Sequence, residues 1–296
     1  MTLVRTNDLL KKAMKDGYGV AGLKAWDVRT VKNLIDAAEE VKSPVTILMT
    51  DADFKNKDNP DNREFEFTVE IAVDMIKKAK VPISLHYEEF APFKKSYNAI
   101  KMGFNSFILD ASEYDYEKNV KTIKEMSDIF HRFGCCIEPQ LGRIPNSKDG
   151  WMVKENFEKN KTNLDQVIDF VNSTSLDILA PNIGNVHSVT HEKITTIDLD
   201  LLKKIKDKVD VPMSLHGGSG VSKEDKQKIL SIGGIQLFWI GSMNFKIFGD
   251  SLEMYLRKYK NENFYNYSAV ALTYAYKEYK NFAINNFKLV ESINRF

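Results

Sequence analysis

Histidines and carboxylates follow several apolar runs of this chain, where they could hold a metal ion or transfer protons. His216 ends the run VPMSLH and leads directly into the glycine-rich GGSG. His86 ends the run VPISLH, with Glu88 and Glu89 close behind it, and His187 follows LDILAPNIG. Two imidazoles and one carboxylate suit a divalent ion such as zinc, with an open position for substrate. The backbone N–H groups of a glycine-rich loop suit an anion.

Eight apolar runs alternate with amphipathic stretches along the chain, and they must position these side chains. The runs cover 18–24, 44–50, 81–86, 105–112, 134–140, 176–184, 211–217 and 235–241. Alternation of strands and helices over this length predicts an α/β fold, a TIM (β/α)8 barrel formed by one domain over 1–296. A doubly wound sheet is the alternative. The tail from Phe248 is rich in Tyr, Phe and Lys and predicts extra C-terminal helices.

The charge balance and the cysteines restrict the class of protein. The 296 residues include 42 Lys and Arg against 41 Asp and Glu, so bulk charge gives no reason to expect nucleic acid or an anionic membrane as partner. The sequence shows neither a long apolar run nor a signal-peptide core, which predicts a cytoplasmic protein. The only cysteines are the neighbours Cys135 and Cys136, which rules out a disulfide framework.

Taken in order, the motifs resemble those of the class II, metal-dependent fructose- and tagatose-bisphosphate aldolases. ILDAS is similar to the D-x-S strand of that family, IEPQLG to E-x-E-L-G and NIGNVHS to I-G-T-x-H-G. LHGGSG is an unaltered family motif. The resemblance runs from about Leu3 to the end of the eighth apolar run. It implies a metal-dependent lyase, with Zn²⁺ as the expected ion, that cleaves a ketose or ketose phosphate by a reversible retro-aldol reaction.

The family motif H-x-D-H supplies a catalytic acid/base and then a metal ligand, and this chain departs from it. Here the motif becomes His86-Tyr87-Glu88-Glu89. The resemblance implies Glu88 as the acid/base. The implied metal ligands are His187, His216 and Glu89. Glu138 matches the first Glu of E-x-E and is a second candidate catalytic residue, while Gln140 replaces the second Glu.

Nine candidate positions are expected to contact substrate, and among them Gly217, Gly218 and Ser219 keep the family pattern. These candidates are Lys24, Thr50, Asp110, Ser112, Asn182, Gly217, Gly218, Ser219 and Ser242. In the eighth strand, Phe238 is aligned with an Asn that holds substrate in the family, and Gly241 with a Thr that contacts phosphate. Ser188 and His191 stand where the family has Gly and Lys. These changes predict a substrate other than fructose 1,6-bisphosphate and leave phosphate binding open.

Two other functions remain open, and each predicts that the residues at the strand ends do something other than metal-dependent cleavage. The chain could be an inactive aldolase-like pseudoenzyme or regulatory subunit. Alternatively, Lys24 could form a Schiff base with a ketose, which requires an uncharged amine. The expected partners are a small sugar or sugar phosphate and, through the aromatic tail, a second copy of the chain. The polar stretch 142–162, with Trp151, predicts a lid over the site.

Overall fold

The protein is described here by a computed structural model that covers residues 2–54, 63–89, 93–146, 158–190, 195–259 and 264–296. Within these ranges, the side chains of residues 89, 93–95 and 264–267 lie outside the description. The predicted lid over 142–162 falls partly outside these residues, and Trp151 and His191 fall outside them altogether.

Eight parallel strands form a barrel, which confirms the predicted fold. They are β1 Val20–Lys24, β2 Val45–Met49, β3 Ile83–Glu89, β4 Ser106–Leu109, β5 Cys136–Leu141, β6 Ala180–Pro181, β7 Ser214–Leu215 and β8 Leu237–Ile240. Their order is β6-β5-β4-β3-β2-β1-β8-β7. The ring closes between the two ends of this order, because Leu179 N donates to Pro212 O at 2.9 Å and Ser214 N donates to Leu179 O at 2.9 Å.

Helices surround the barrel and extend beyond its eighth strand. They are α1 Thr6–Asp16, α2 Val28–Val41, α3 Glu64–Lys78, α4 Phe93–Met102, α5 Tyr116–Arg132, α6 Val167–Thr174, α7 Leu199–Lys206, α8 Lys223–Ile232, α9 Ser242–Lys258 and α10 Phe264–Leu289. Side chains at the helix starts fix several boundaries. Asp27 accepts a hydrogen bond from Thr30 N in a capping box, and Ser222 caps α8 through Asp225 N. Within the described residues, none of the helices is both long enough and apolar enough to span a membrane.

Strand residues alternate between the barrel interior and the layer beneath the helices. Ile108 and Trp239 belong to the interior, together with Leu10 of α1, which closes the N-terminal end of the barrel. Their chain neighbours Phe107 and Phe238 belong to the outer layer. Because the strands are parallel, their carboxyl ends meet at the opposite rim, where the side chains of the loops can converge.

Candidate active site

A cavity of about 420 Å³ lies at the carboxyl ends of the strands. Its wall includes many of the predicted site residues: Lys24, Glu88, His187, His216, Gly217, Ser219 and Ser242. Trp239 lines it as well, and so do several side chains that were not predicted, among them Asp53 and Phe245. The predicted rim site and this cavity are therefore the same place.

The rings of His187 and His216 lie side by side on this wall. Their centroids are 5.3 Å apart, and the ring planes are nearly perpendicular. Nε2 of His187 is buried and lacks a hydrogen-bond partner among the described residues. Burial lowers the pKa of His187 to about 4, so its imidazole is neutral at neutral pH and can offer a lone pair to a metal.

His216 is held from behind by Glu138. Nε2 of His216 lies 2.7 Å from Oε1 of Glu138. A donor at Nε2 leaves the lone pair at Nδ1, which is how a carboxylate commonly sets the tautomer of a metal-binding histidine. Asn185 fixes the backbone at this point, since its Nδ2 donates to the carbonyl of His216 at 3.1 Å.

Glu138 itself is fully buried inside the barrel. Its Oε1 also accepts hydrogen bonds from Ser214 Oγ at 2.6 Å and from Trp239 Nε1 at 2.7 Å. Burial alone would raise the pKa of Glu138, but the hydrogen bond from His216 and the nearby His86 lower it below its usual value. Because Glu138 lies behind His216, the geometry favours a positioning role over direct contact with substrate.

Lys24 ends β1 and bridges two carboxylates on the cavity wall. Its Nζ lies 3.0 Å from Oδ2 of Asp53 and 3.1 Å from Oε2 of Glu88. Burial alone would lower the pKa of Lys24, but the two carboxylates outweigh that effect and raise it. The side chain is therefore an ammonium, which argues against a resting Schiff-base nucleophile. The same ammonium offsets the burial of Glu88 and lowers the pKa of that carboxyl.

His86 lies deeper than the sequence predicts. Strand β3 continues to Glu89, so His86 is a residue of the barrel interior and is fully buried. Nδ1 of His86 lies 3.0 Å from Thr6 Oγ1 of α1. Its Nε2 lies 3.7 Å from Oε2 of Glu138, which is too far for a hydrogen bond. Two of the three predicted rim histidines therefore share the cavity, and the third lies below it.

Two residues that were predicted to contact substrate instead form hydrogen bonds to other protein atoms. Asn182 Nδ2 donates to Arg143 O at 2.6 Å and to Asn160 O at 2.9 Å, and its Oδ1 accepts from Gly184 N. The predicted role of Asn182 at the substrate is therefore not supported, because this amide braces neighbouring loops. Thr50 Oγ1 caps the short 3₁₀ helix Asp51–Asp53 through Ala52 N, and that helix carries Asp53.

The other predicted contacts lie at β4 and in the glycine-rich loop. Asp110 Oδ1 accepts from Ser112 N at 2.9 Å, and Ser112 Oγ is buried with no partner in the described chain. Gly217 has a φ of 64°, and a Cβ there would lie 2.0 Å from Val186 O. A Cβ at Gly218 would lie 2.8 Å from Trp239 O, so both glycines serve close backbone packing, and Gly217 also lines the cavity.

The sequence predicts both Phe238 and Trp239 of β8 at the substrate end of the pocket, and only Trp239 lines the cavity. Phe238 packs outward, where a Cβ on Gly19 would come within 2.8 Å of its ring. Its neighbour Trp239 faces inward and lines the cavity. The prediction that Phe238 faces the substrate is wrong by one residue. Because side chains alternate between the two faces of a strand, an error of one residue places the side chain on the opposite face. Asp53 was missed for a different reason, since its contact with Lys24 joins the end of β1 to the short helix that follows β2.

The donor set fits a divalent metal as far as it is described. His187 offers an unpartnered buried nitrogen, and His216 has the carboxylate support typical of a ligating histidine. Over the described ranges, no three His, Cys, Asp or Glu side chains converge as a ready metal site. The third implied ligand is Glu89, whose backbone pairs with Leu109 and whose side chain lies outside the description.

Comparison with known proteins identifies the class. The family model for class II fructose-bisphosphate aldolase matches residues 4–295. The chain belongs to the class II fructose-bisphosphate aldolase family.

Individual relatives agree with this assignment. The uncharacterized protein YdjI of Escherichia coli strain K12 is 34% identical over 216 residues, which are 73% of this chain and 74% of YdjI. The X-ray crystal structure of the YdjI aldolase from Escherichia coli K12 matches 99% of both chains with a TM-score of 0.80 and 28% identity. Fructose-bisphosphate aldolase from Campylobacter jejuni shares the fold, with a TM-score of 0.79 and 19% identity over 99% of this chain and 97% of its own.

Proposed function

We propose that this protein is a metal-dependent class II aldolase-type lyase of carbohydrate metabolism, with a ketose substrate other than fructose 1,6-bisphosphate. The observation that carries the proposal is that Glu88, His187 and His216 share one cavity wall. A proton acceptor and two metal-binding imidazoles thereby face the same bound molecule. Membership of the family supports this reading, since class II aldolases depend on a divalent metal.

The proposed reaction needs one acid/base and one electrophile. The Glu88 carboxylate accepts the proton of the C4 hydroxyl, and the O–H electrons form the new aldehyde C=O. The C3–C4 bond then breaks, and its electrons move onto the ketose carbonyl as an enediolate. Glu88 returns the proton to C3. A Zn²⁺ ion held by His187, His216 and Glu89 would supply Lewis acidity at that carbonyl.

The cavity wall supports a changed specificity. Trp239 and Phe245 make part of the lining aromatic, and Lys24 is bound by carboxylates on two sides. Ser219 and Ser242 line the cavity near the start of α9, where they can contact hydroxyl or phosphate oxygens of a substrate. However, Ser219 Oγ already accepts from Met243 N at 3.2 Å. We therefore expect very weak cleavage of fructose 1,6-bisphosphate and better turnover of a smaller or less phosphorylated ketose.

The test is Glu88→Gln, which is nearly isosteric with the wild type but cannot accept the proton. We expect turnover to fall by about a hundredfold or more, the range usual for loss of a general base, while metal content stays unchanged. Glu66→Gln on the exposed face of α3 is the control. Turnover in Glu88→Gln equal to that of the wild type would refute the assigned role. Efficient cleavage of fructose 1,6-bisphosphate by the wild type would refute the changed specificity.

An inactive, regulatory relative is the second candidate. The observation in its favour is the carboxylate of Glu89 at the position of a ligand histidine, because an anionic ligand reduces the net charge and the Lewis acidity of a bound ion. Elemental analysis of protein purified without chelator and offered zinc, cobalt or manganese separates the two. If the protein takes up none of these metals, the regulatory role becomes the better reading.

The expected homodimer and cytoplasmic location are part of the same proposal. Apolar side chains stand exposed on the added helices, among them Phe245, Met254 and Val270. Such side chains suit contact with a second copy. Sedimentation at micromolar concentration should show a dimer, and a monomer there would remove this part of the proposal.

A further inference from the structure

The cluster of Lys24, Asp53 and Glu88 has a feature that the proposed reaction does not use. We infer that Lys24 is a further catalytic residue, whose ammonium binds the substrate oxygen that gains negative charge, and that Asp53 positions it. This inference rests on the proposed function, because the oxygen in question is the ketose carbonyl that becomes an enediolate. It concerns a hydrogen bond and a charge, and Lys24 forms no covalent bond in it.

The hydrogen-bonding capacity of Lys24 is only partly used. An ammonium has three N–H donors. Oδ2 of Asp53 takes one at 3.0 Å, and Oε2 of Glu88 takes another at 3.1 Å. The described residues provide no acceptor for the third, and Lys24, Asp53 and Glu88 all line the cavity. The unused donor is therefore available to a molecule bound beside Glu88.

The surroundings hold this charge in place before any substrate arrives. The Lys24 side chain is only 14% exposed, and besides its two carboxylate partners its Nζ lies over the Phe245 ring, 5.8 Å from the centroid. Its backbone carbonyl accepts a hydrogen bond from Tyr279 Oη of α10 at 2.5 Å. Asp53 sits on the short helix that Thr50 caps. A donor fixed in this way needs little reorganisation when charge develops on the substrate, and this makes such donors effective in catalysis.

The position next to Glu88 also places the ammonium near the reacting atoms. Glu88 must reach the C4 hydroxyl, and Lys24 is its direct hydrogen-bond partner. The Lys24 ammonium contacts Glu88 and also lines the cavity, so it can bind a substrate oxygen while it keeps its hydrogen bond to Asp53. The cluster as a whole is not positive, because two carboxylates hold the ammonium, but the free N–H of Lys24 can bind the developing oxyanion directly at a site whose implied metal ligand Glu89 is a carboxylate.

The experiment compares Lys24→Met and Lys24→Arg with a matched control, Lys161→Met. Lys161 is also paired with two carboxylates, Glu158 at 2.9 Å and Asp198 at 3.0 Å, and its side chain is 16% exposed. It does not line the cavity described above. Any general cost of removing a paired lysine should therefore appear equally in Lys161→Met and Lys24→Met, and thermal melting reports it.

Two readouts are used on the protein purified with its metal. One is kcat for the best ketose, which should fall by about a hundredfold in Lys24→Met, as for other preorganised oxyanion donors. The other is binding of glycolohydroxamate, an anionic mimic of a two-carbon enediolate. Its affinity should fall by about tenfold or more, as for loss of a hydrogen bond to a charged group. Lys24→Arg should keep part of both, and Lys161→Met serves only as the control for thermal stability.

The role of Asp53 has its own signature. Asp53→Asn should lower kcat by about tenfold with little change in KM, because it misplaces a donor that acts on the developing charge. Asp53→Glu should restore part of that loss. Equal losses in Asp53→Asn and Asp53→Glu, accompanied by lower thermal stability, would show a structural role and would overturn the positioning claim.

Failure of the inference and failure of the proposed reaction give different results. If Lys24→Met has the same kcat and the same hydroxamate affinity as the wild type, the inference is overturned. A wild type that does not bind the hydroxamate also overturns it, and so does borohydride trapping of a ketose on Lys24, found by mass spectrometry. If the wild type cleaves no ketose but its hydroxamate binding depends on Lys24, the proposed reaction fails and the anion-binding role of Lys24 stands.

Discussion

The polar groups inside the barrel and those at its mouth differ in what they face. The interior groups contact one another, although Glu138 Oε2 and His86 Nε2 lack a hydrogen-bond partner in the described chain, and the mouth groups face the cavity. Inside, one oxygen of Glu138 accepts from Ser214, His216 and Trp239. At the mouth, the buried Nε2 of His187 has no protein partner in the described chain, and one ammonium serves two carboxylates. Buried polar atoms are nearly always paired, so unpaired ones at a cavity mark where a ligand binds. The interior thus orients the site, and the mouth provides its chemistry.

The largest difference should appear between His216→Ala and His187→Ala. Both variants should lose stoichiometric metal. Only His216→Ala should also destabilise the metal-free protein by about 3 kcal/mol, because it removes both a hydrogen bond to the buried Glu138 carboxylate and the volume of a buried ring. His187→Ala should stay within about 1 kcal/mol of the wild type, since it removes a ring contact with His216 and no hydrogen bond at Nε2. Elemental analysis and urea unfolding measure the two effects, and equal losses of stability would contradict the division between interior and mouth.

The interior histidine should make the fold sensitive to acid. Burial lowers the pKa of His86 from 6.5 to about 4, so the native state holds it neutral while the unfolded chain protonates it first. Its contribution is complete above about pH 6.5 and is lost as the pH falls toward about 4, a change of about 3 kcal/mol. Urea unfolding of metal-free protein at several pH values tests this. His86→Gln should show a smaller loss over that window, and parallel curves for wild type and variant would exclude His86 as the cause.

The close approach of β1 to Trp239 predicts an effect of about 2 kcal/mol. A Cβ on Gly22 would lie 2.2 Å from Cε3 of Trp239, whose ring is tied to Glu138. Gly22→Ala should therefore destabilise the protein by the usual cost of overpacking. Gly249→Ala is the control, because Gly249 lies in α9 with open space around its Cβ, and alanine there should stabilise slightly. Equal melting temperatures for the two variants would mean that the Trp239 ring can shift freely.

The sequence predicts the barrel, the cavity and its two histidines, because each rests on local periodicity or on an unbroken motif such as LHGGSG. It does not predict the depth of His86, since the apolar run suggests an end at residue 86 while β3 continues to Glu89. It assigns Phe238 to the face that Trp239 occupies, because a one-residue change of register is invisible in a run of apolar residues. The sequence also does not predict the Lys24–Asp53 ion pair, since only the folded barrel brings the ends of β1 and β2 together.

The smallest effect concerns Trp239 as the link between the two regions. Trp239→Phe removes one of three donors on Glu138 Oε1, and His216 and Ser214 remain, so the cost should be about 1 kcal/mol. The same change loosens the support of His216, and metal affinity should fall by about tenfold, as it does when the partner of a ligand is altered. Trp26→Phe, in the aromatic cluster with Phe245 and Phe248, should leave metal affinity unchanged.

Because phenylalanine has a smaller ring than tryptophan, the double variant of Trp239→Phe with Gly22→Ala should be more stable than the sum of the single effects by about 1 kcal/mol. Strict additivity, or equal metal affinity in Trp239→Phe and Trp26→Phe, would show that Trp239 fills space in the barrel without supporting the site.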